Sequence, residues 1–261
     1  RELSLRSMQS AEGADPWRRR APSFDAEVKR RVREGQDLLT DTLVGMLRPT
    51  DTVVDIGAGT GRWVVAMSGT VRHITALEPS QSMLGILKEN VAAAGVANLT
   101  VIQGSWEDTG IEPHDVVLCS HSMYTSPDLV GFVRKMECTA KRLCVLLLRV
   151  PSHDGVIGRL SQKVHGQWHD SPNFVIAHNI LLEMGIYANV LMEPRVVRHW
   201  VDDTLEQAFD RAKKRLYVED TTKYDRAIRE ELRGSLIQGE NGLVWPDGMR
   251  SALVWWNTGG E

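Results

Sequence analysis

Short apolar segments alternate with amphipathic ones between residues 52 and 148, and this alternation restricts the fold more than any other feature. Five apolar runs are separated by stretches of helical spacing, at residues 52–56, 73–77, 99–103, 115–120 and 143–148. Runs that are apolar at successive positions indicate strands buried on both faces, which is typical of a parallel sheet. Right-handed crossovers between such strands give a doubly wound sheet with helices on both faces. We therefore predict an α/β fold.

After residue 150 the pattern changes, and the sheet is expected to gain two more strands. Residues 190–201 and 251–256 are predicted strands, which gives a mostly parallel, seven-stranded sheet. Predicted helices cover 175–184, 203–217 and 222–236, whereas 151–174 and 239–248 are expected to be irregular or loop.

The regions outside the alternation are expected to form a helical lid. Helical spacing over residues 24–47 predicts one helix or a pair of helices, ended by Pro49. We expect an N-terminal lid and helices at 1–48 and a ligand-binding domain at 49–261, with lid insertions at about 151–175 and 203–248.

A glycine-rich turn joins the first strand to the next helix. Gly57, Gly59 and Gly61 follow Asp55, and Glu78 ends the second strand about twenty residues later. Glycines let the backbone turn sharply and approach a ligand, and an acid at the second strand end can accept both hydroxyls of a ribose. The pattern predicts an adenosine-containing ligand; the alternative is a tight turn without a ligand.

The glycine spacing separates two classes of cofactor. Dinucleotide enzymes usually have glycines at relative positions one, three and six, and here Arg62 stands at the last of these. S-adenosylmethionine has an ammonium and a sulfonium instead of a pyrophosphate, which suits the acid at Asp55. The stretch resembles the first motif of class I (Rossmann-like) S-adenosylmethionine-dependent methyltransferases, Asp/Glu-x-Gly-x-Gly-x-Gly, at every fixed position.

The resemblance covers roughly residues 45–150. Residues 76–84 resemble the second motif, in which the acid binds the ribose. Residues 102–107 resemble the third motif, but Ser105 and Trp106 stand where the family usually has an Asp and a small residue. Residues 116–122 match the fourth strand. The cofactor-binding residues that the resemblance implies are Asp55, Gly57, Ala58, Gly59, Gly61, Glu78, Pro79, Met83, Ser105, Trp106 and Ser120.

Methyl transfer is an in-line displacement, so candidate catalytic residues should follow the carboxyl ends of the strands. His121 follows the fourth strand and can exchange protons near neutral pH, and Tyr124 can orient an acceptor. A loop-capping role for His121 is the alternative. Candidate acceptor-binding residues are Trp17, Phe24, Arg149, His165 and Trp168. His165 and His169 are four residues apart, but without a third ligand we predict no metal site.

The composition limits the kinds of partner that the protein is expected to bind. A formal charge of −3 does not favour binding of a nucleic acid, and no apolar stretch reaches the roughly 18 residues of a membrane span. The three cysteines lack metal-ligand spacing, which favours a reduced, cytoplasmic protein. We expect a monomer or homodimer without membrane or nucleic-acid partners.

These observations favour S-adenosylmethionine-dependent methyl transfer to a small molecule. An RNA or other macromolecule methyltransferase is the main alternative, although residues 119–124 lack the Asn/Asp-Pro-Pro-Tyr/Phe turn that methylation of exocyclic base nitrogens usually requires. A nicotinamide oxidoreductase and a catalytically silent cofactor-binding protein are the remaining alternatives.

Overall fold

The computed structural model describes residues 15–33, 37–150, 155–167, 173–194, 199–246 and 250–259. Its strands are β1 (Thr52–Ile56), β2 (His73–Glu78), β3 (Leu99–Gln103), β4 (His114–Ser120), β5 (Ala140–Val150), β6 (Asn189–Met192), β7 (Val201–Asp202), β8 (Ile237–Gly239), β9 (Gly242–Val244) and β10 (Arg250–Asn257). Its α-helices are α1 (Ala21–Arg33), α2 (Leu38–Gly45), α3 (Arg62–Met67), α4 (Gln81–Ala93), α5 (Leu129–Thr139), α6 (Val156–His165), α7 (Phe174–Glu183), α8 (Leu205–Leu216) and α9 (Asp225–Ser235).

Seven strands form the main sheet, in the order β3-β2-β1-β4-β5-β10-β6. The pairs β1–β2, β1–β4, β2–β3 and β4–β5 are parallel, and β10 is antiparallel to β6. The predicted α/β fold with a mostly parallel seven-stranded sheet is confirmed. Because β1 and β4 lie side by side at the centre, the segments that follow them meet at one edge of the sheet.

Both faces of the central strands are buried. On one face Val53 and Val116 pack in a core with Leu43 of α2 and Val64 of α3. Successive side chains of a strand point to opposite faces, and Val54, the next residue of β1, is also fully buried. The burial on both faces explains why the strands are continuous apolar runs rather than alternating ones.

Side-chain caps fix where several helices begin. Asp37 accepts hydrogen bonds from two backbone N–H groups at the start of α2, and Asp128 accepts one from Gly131 in α5. Ser80 accepts one from Met83 in α4. Such caps satisfy backbone donors that have no partner within the helix, and each typically contributes about 1 kcal/mol.

Three predictions of local structure differ from the structure, whereas the helical spacing over residues 24–47 corresponds to the predicted pair of helices, α1 and α2. Helix α6 lies within 151–174, which was expected to be irregular. The predicted strand 190–201 is much shorter, because β6 ends at Met192 and Pro194 has no N–H to continue a ladder. The predicted loop at 239–248 contains β9 of a hairpin with β8.

The chain forms two compact units. The first contains the described residues up to Leu148 together with Ile176–Met192 and the residues from Ala252 onward, and the second contains those of Arg149–Val175 and Glu193–Ser251. The second unit has its own core, built around Trp245 by α6, α8 and α9, and an antiparallel sheet in the order β7-β9-β8. Helices α1 and α2 lie in the first unit. No helix in the described ranges has both the length and the apolar character needed to cross a membrane.

Candidate active site

The glycine-rich turn lies at the carboxyl end of β1, and its three glycines all have positive φ. The φ angles are 69° at Gly57, 57° at Gly59 and 87° at Gly61, a region that other residues rarely adopt. A Cβ on Gly57 would lie 2.3 Å from Cβ of Ser122, and one on Gly61 3.2 Å from Leu87. Around Gly59 the nearest atoms lie 4.0 Å away, so this glycine leaves space that a ligand can occupy.

Asp55 is the most unusual charged residue of the site. Its side chain is fully buried, and neither carboxylate oxygen has a hydrogen-bond partner among the described residues. Burial, and then the charge of Glu78, raise the pKa of Asp55 to about 7. An unpaired buried carboxylate is costly to the fold, and the ammonium group of S-adenosylmethionine is a partner that would offset this cost.

Glu78 ends β2 and holds the turn through both oxygens. One oxygen accepts a hydrogen bond of 2.8 Å from the Gly59 N–H, and the other accepts one of 2.8 Å from the Ser80 N–H. Burial raises the pKa of Glu78, and these backbone hydrogen bonds oppose the rise. Because a carboxylate oxygen can accept two hydrogen bonds, each retains a position for a ribose hydroxyl. These side chains and the glycine backbone fit S-adenosylmethionine.

Ser105 and Trp106, two of the predicted cofactor-binding residues, have contacts within the protein. The Ser105 hydroxyl donates to the carboxylate of Asp108 at 2.7 Å. Trp106 is buried, and its indole N–H donates to the Phe132 carbonyl at 3.3 Å. Lys135 Nζ lies 4.7 Å from the centre of the same ring. Trp106 is therefore packed against α5, and its assignment to the cofactor stays a prediction.

The other predicted cofactor residues lie around the same edge. Ala58 follows Gly57 in the turn, and its N–H donates to the Leu77 carbonyl at 3.1 Å. Pro79 is exposed after Glu78, whereas Met83 is buried in the first turn of α4.

The segment after β4 brings both predicted catalytic residues together. Ser120 ends the strand, and His121 has a φ of 54°. The His121 N–H donates to the Leu147 carbonyl of β5 at 3.0 Å. Its Nδ1 shares a hydrogen bond of 2.8 Å with the Tyr124 hydroxyl, whose donor depends on the tautomer. A left-handed residue that is not glycine costs roughly 1–3 kcal/mol and is frequent at functional sites.

Two predicted acceptor-binding aromatics lie beside the glycine turn. Phe24 Cε1 is 4.0 Å from the Cβ position of Gly59, and the Trp17 and Phe24 rings meet edge to face at 5.4 Å. Asp25 of α1 accepts a hydrogen bond of 2.7 Å from Asn90, which also donates to the Thr60 carbonyl at 2.8 Å. The N-terminal segment (residues 15–33) is thus bound to the turn itself.

Asp15 anchors the other end of this segment, and sequence analysis missed it. Its carboxylate accepts from the Ser80 hydroxyl at 2.9 Å and from the Ser82 N–H at 2.8 Å, at the start of α4. Burial opposes ionisation, but backbone hydrogen bonds from Ser82 and Trp17 outweigh it and lower the pKa of Asp15 to about 2. No local pattern links Asp15 to Ser80, because the two are 65 residues apart.

Asp15→Ala should loosen the N-terminal segment, because Ser82 and Trp17 lose their acceptor. We expect proteolytic cleavage within residues 15–33 to accelerate about tenfold, which corresponds to roughly 1.4 kcal/mol. In the wild type this stabilisation is present above about pH 4 and is lost as the pH falls through about 2, because the folded-state pKa is the lower one. The exposed Asp220→Ala is the control; equal cleavage rates in both variants would contradict the anchor.

The remaining predicted acceptor-binding residues lie in other parts of the chain. Arg149 lies near the end of β5. His165 ends α6, and its Nε2 donates to the Leu216 carbonyl of α8 at 2.9 Å, which holds two helices of the second unit together. Trp168 and His169 lie outside the described residues. Within the described ranges no three His, Cys, Asp or Glu side chains are grouped to hold a metal.

Comparisons with known proteins agree with this geometry. Residues 53–142 match the family model described as a methyltransferase domain. The mitochondrial ribosomal RNA small subunit methyltransferase of Arabidopsis thaliana is 33% identical over 106 residues, which cover 38% of this chain and 28% of that protein. The demethylmenaquinone methyltransferase of Bacillus cytotoxicus is 25% identical over 100 residues, 36% of this chain and 42% of that one. The chain spans between 28% and 52% of the length of the curated relatives that it matches.

Solved structures share the fold. A candidate methyltransferase of Bacillus halodurans superposes with a TM-score of 0.56 at 15% identity, covering 85% of this chain and 99% of that one. Residues 53–142 are therefore similar to a methyltransferase domain, and the solved structure supports the fold of the chain.

Proposed function

We propose that this protein transfers the methyl group of S-adenosylmethionine to a small-molecule acceptor. The observation that carries the proposal is the buried Asp55, which has no hydrogen-bond partner in the described chain. Its strand, β1, pairs with β2, the strand that Glu78 ends. A fold without a ligand at this edge would gain nothing from burying such a charge, whereas a cationic cofactor would be bound by it.

Each side chain has a separate task in this proposal. S-adenosylmethionine, when bound, supplies a methyl group on a sulfonium, which an acceptor atom attacks in line. Asp55 offsets positive charge, Glu78 accepts the ribose hydroxyls, and the backbone of Gly59 leaves room for the ligand. Trp17 and Phe24 hold the reactants in line and exclude water, which prevents side reactions.

His121 is proposed to take the proton from the acceptor. The hydrogen bond between its Nδ1 and the Tyr124 hydroxyl orients the ring, and an imidazole can take up a proton near neutral pH. We therefore expect His121→Gln to lower turnover about 100-fold or more, in the range typical of a lost general base. The measurement is transfer of labelled methyl to the acceptor at saturating cofactor. Unchanged turnover would restrict His121 to capping the turn.

The charge of the chain and its matched range bear on the nature of the acceptor. The formal charge of −3 disfavours a polyanionic partner, although one relative is named as a ribosomal RNA methyltransferase and another as a demethylmenaquinone methyltransferase. We propose that residues outside the matched range 53–142 select the acceptor. Arg149, His165 and Trp168 remain candidate contacts of the acceptor.

Incubation of the protein with labelled S-adenosylmethionine and fractionated cell extract tests the acceptor class. We expect label in the fraction of small molecules, with none in RNA or protein. Label confined to RNA would favour the macromolecule alternative. The proposal also includes a reducing compartment such as the cytoplasm, since Cys119 and Cys144 are buried free thiols.

A further inference from the structure

The turn after β4 is held by neighbours on both sides. On one side the His121 N–H donates to Leu147 of β5 at 3.0 Å. On the other side the Ser122 hydroxyl donates to the Ile56 carbonyl of β1 at 2.7 Å. These two hydrogen bonds explain how the chain keeps His121 in a left-handed conformation with a φ of 54°, because such conformations persist only where the surroundings determine them.

The Ser122 hydroxyl has a second hydrogen-bond partner, Cys119, and the bond to Ile56 decides which of the two groups is the donor. Its single proton goes to Ile56, so it must accept from Cys119, whose Sγ is 3.1 Å away. Burial raises the pKa of the Cys119 thiol to about 12, which keeps the thiol protonated as this donor. The hydroxyl therefore joins the last residue of β1 to β4 at the edge where the cofactor turn begins.

Ser122 also contacts the glycine turn sterically. A Cβ on Gly57 would lie 2.3 Å from Ser122 Cβ and 2.5 Å from its Oγ. The missing side chain of Gly57 is thus the space that the Ser122 side chain fills. A shift of Ser122 would move the cofactor turn on one side and His121 on the other.

We propose that Ser122 is a positioning residue that sets the His121–Tyr124 pair against the cofactor turn. This inference rests on the proposed function only in the role given to His121. The placement itself is a matter of geometry and can be measured without an acceptor.

Ser122→Ala, which removes the hydroxyl and leaves the Cβ, tests the positioning directly. We expect the imidazole NMR signals of His121, assigned by comparison with His121→Gln, to move, and the affinity for S-adenosylhomocysteine to fall about fivefold. Ser126→Ala removes an exposed hydroxyl from the same loop and should leave both unchanged. If the His121 signals of folded Ser122→Ala coincide with those of the wild type, the proposal is overturned, even when the protein binds the cofactor.

A double-mutant cycle tests the steric contact by urea denaturation. Gly57→Ala should lower the folded-to-unfolded ratio at least fivefold more in the wild type than in the Ser122→Gly background, where the space is open. The strain of an alanine at a φ of 69° is present in both backgrounds and cancels. Additive effects would show that Gly57 and Ser122 do not constrain each other and would overturn the proposal. If the wild type did not bind the cofactor, the proposed function would be contradicted, but the double-mutant cycle would still measure the contact between Gly57 and Ser122.

Discussion

Glu78→Ala is expected to weaken binding of S-adenosylhomocysteine about 100-fold or more. The carboxylate accepts hydrogen bonds from Gly59 and Ser80, so its removal takes away the proposed ribose contacts and the support of the turn at once. Hydrogen bonds to a charged group contribute roughly 1.5–3 kcal/mol each, and the loss of two ribose contacts accounts for the expected factor.

Titration calorimetry measures this loss, and two further variants separate its causes. Glu78→Gln retains one carbonyl oxygen and should bind more tightly than the alanine variant and more weakly than the wild type. Glu89→Ala changes an exposed residue of α4 and should bind as the wild type does. Affinity of Glu78→Ala within twofold of the wild type would remove the ribose assignment.

Asp55→Asn is expected to stabilise the ligand-free protein while weakening cofactor binding. The pKa of Asp55 is raised to about 7 by burial and by the charge of Glu78, so the folded state holds a proton that the unfolded state releases above about pH 4. The contribution of protonated Asp55 to the stability of the folded wild type is therefore fully present below about pH 4 and is lost as the pH rises through about 7. Above that pH the wild type must bury an unpaired charge, and the asparagine does not.

Denaturation of the free protein at two pH values tests this sign. At pH 8 we expect Asp55→Asn to raise the free energy of unfolding on the order of 2 kcal/mol relative to the wild type, with a much smaller gain near pH 5. Asp41→Asn, an exposed change on α2, should show no pH-dependent gain. A gain that is larger at pH 5 than at pH 8 would contradict the account of Asp55.

Cofactor affinity should change in the opposite direction. The ionised carboxylate is the form that attracts an ammonium, so the wild type should bind S-adenosylmethionine more tightly at pH 7.5 than at pH 5.5, whereas Asp55→Asn should bind at least tenfold more weakly at pH 7.5. A residue that costs stability and supports binding is what a functional site requires.

The central sheet could be predicted from sequence because its strands are buried on both faces. The predicted ranges of β1 and β3 agree with the structure at both ends, since runs of branched aliphatic residues bounded by turn residues have few alternatives. Helix α6 was missed because Gly158 and Ser161 lie on its buried face and make the apolar pattern weaker. Its buried residues pack in a core with Trp245, about eighty residues further along the chain, and no local window contains that information.

The candidate site also has features that the sequence predicts and features that only the folded sheet reveals. The types of Asp55 and Glu78 and the glycine spacing are visible in sequence, because the chemistry of the ligand demands them. Two features of the site depend on how the strands assemble: Asp55 has no hydrogen-bond partner among the described residues, and Gly57 and Ser122 are in contact. Only the assembled sheet brings these residues together, so their pairing could not be inferred from either segment alone.

Calorimetry of the wild-type protein with S-adenosylmethionine, S-adenosylhomocysteine and NAD tests the central claim most directly. Asp55, Glu78 and the glycine turn predict that the first two ligands bind with similar affinity and that NAD does not, because Arg62 stands where a dinucleotide site has its third glycine. Binding of NAD without binding of either methionine-derived ligand would contradict the account.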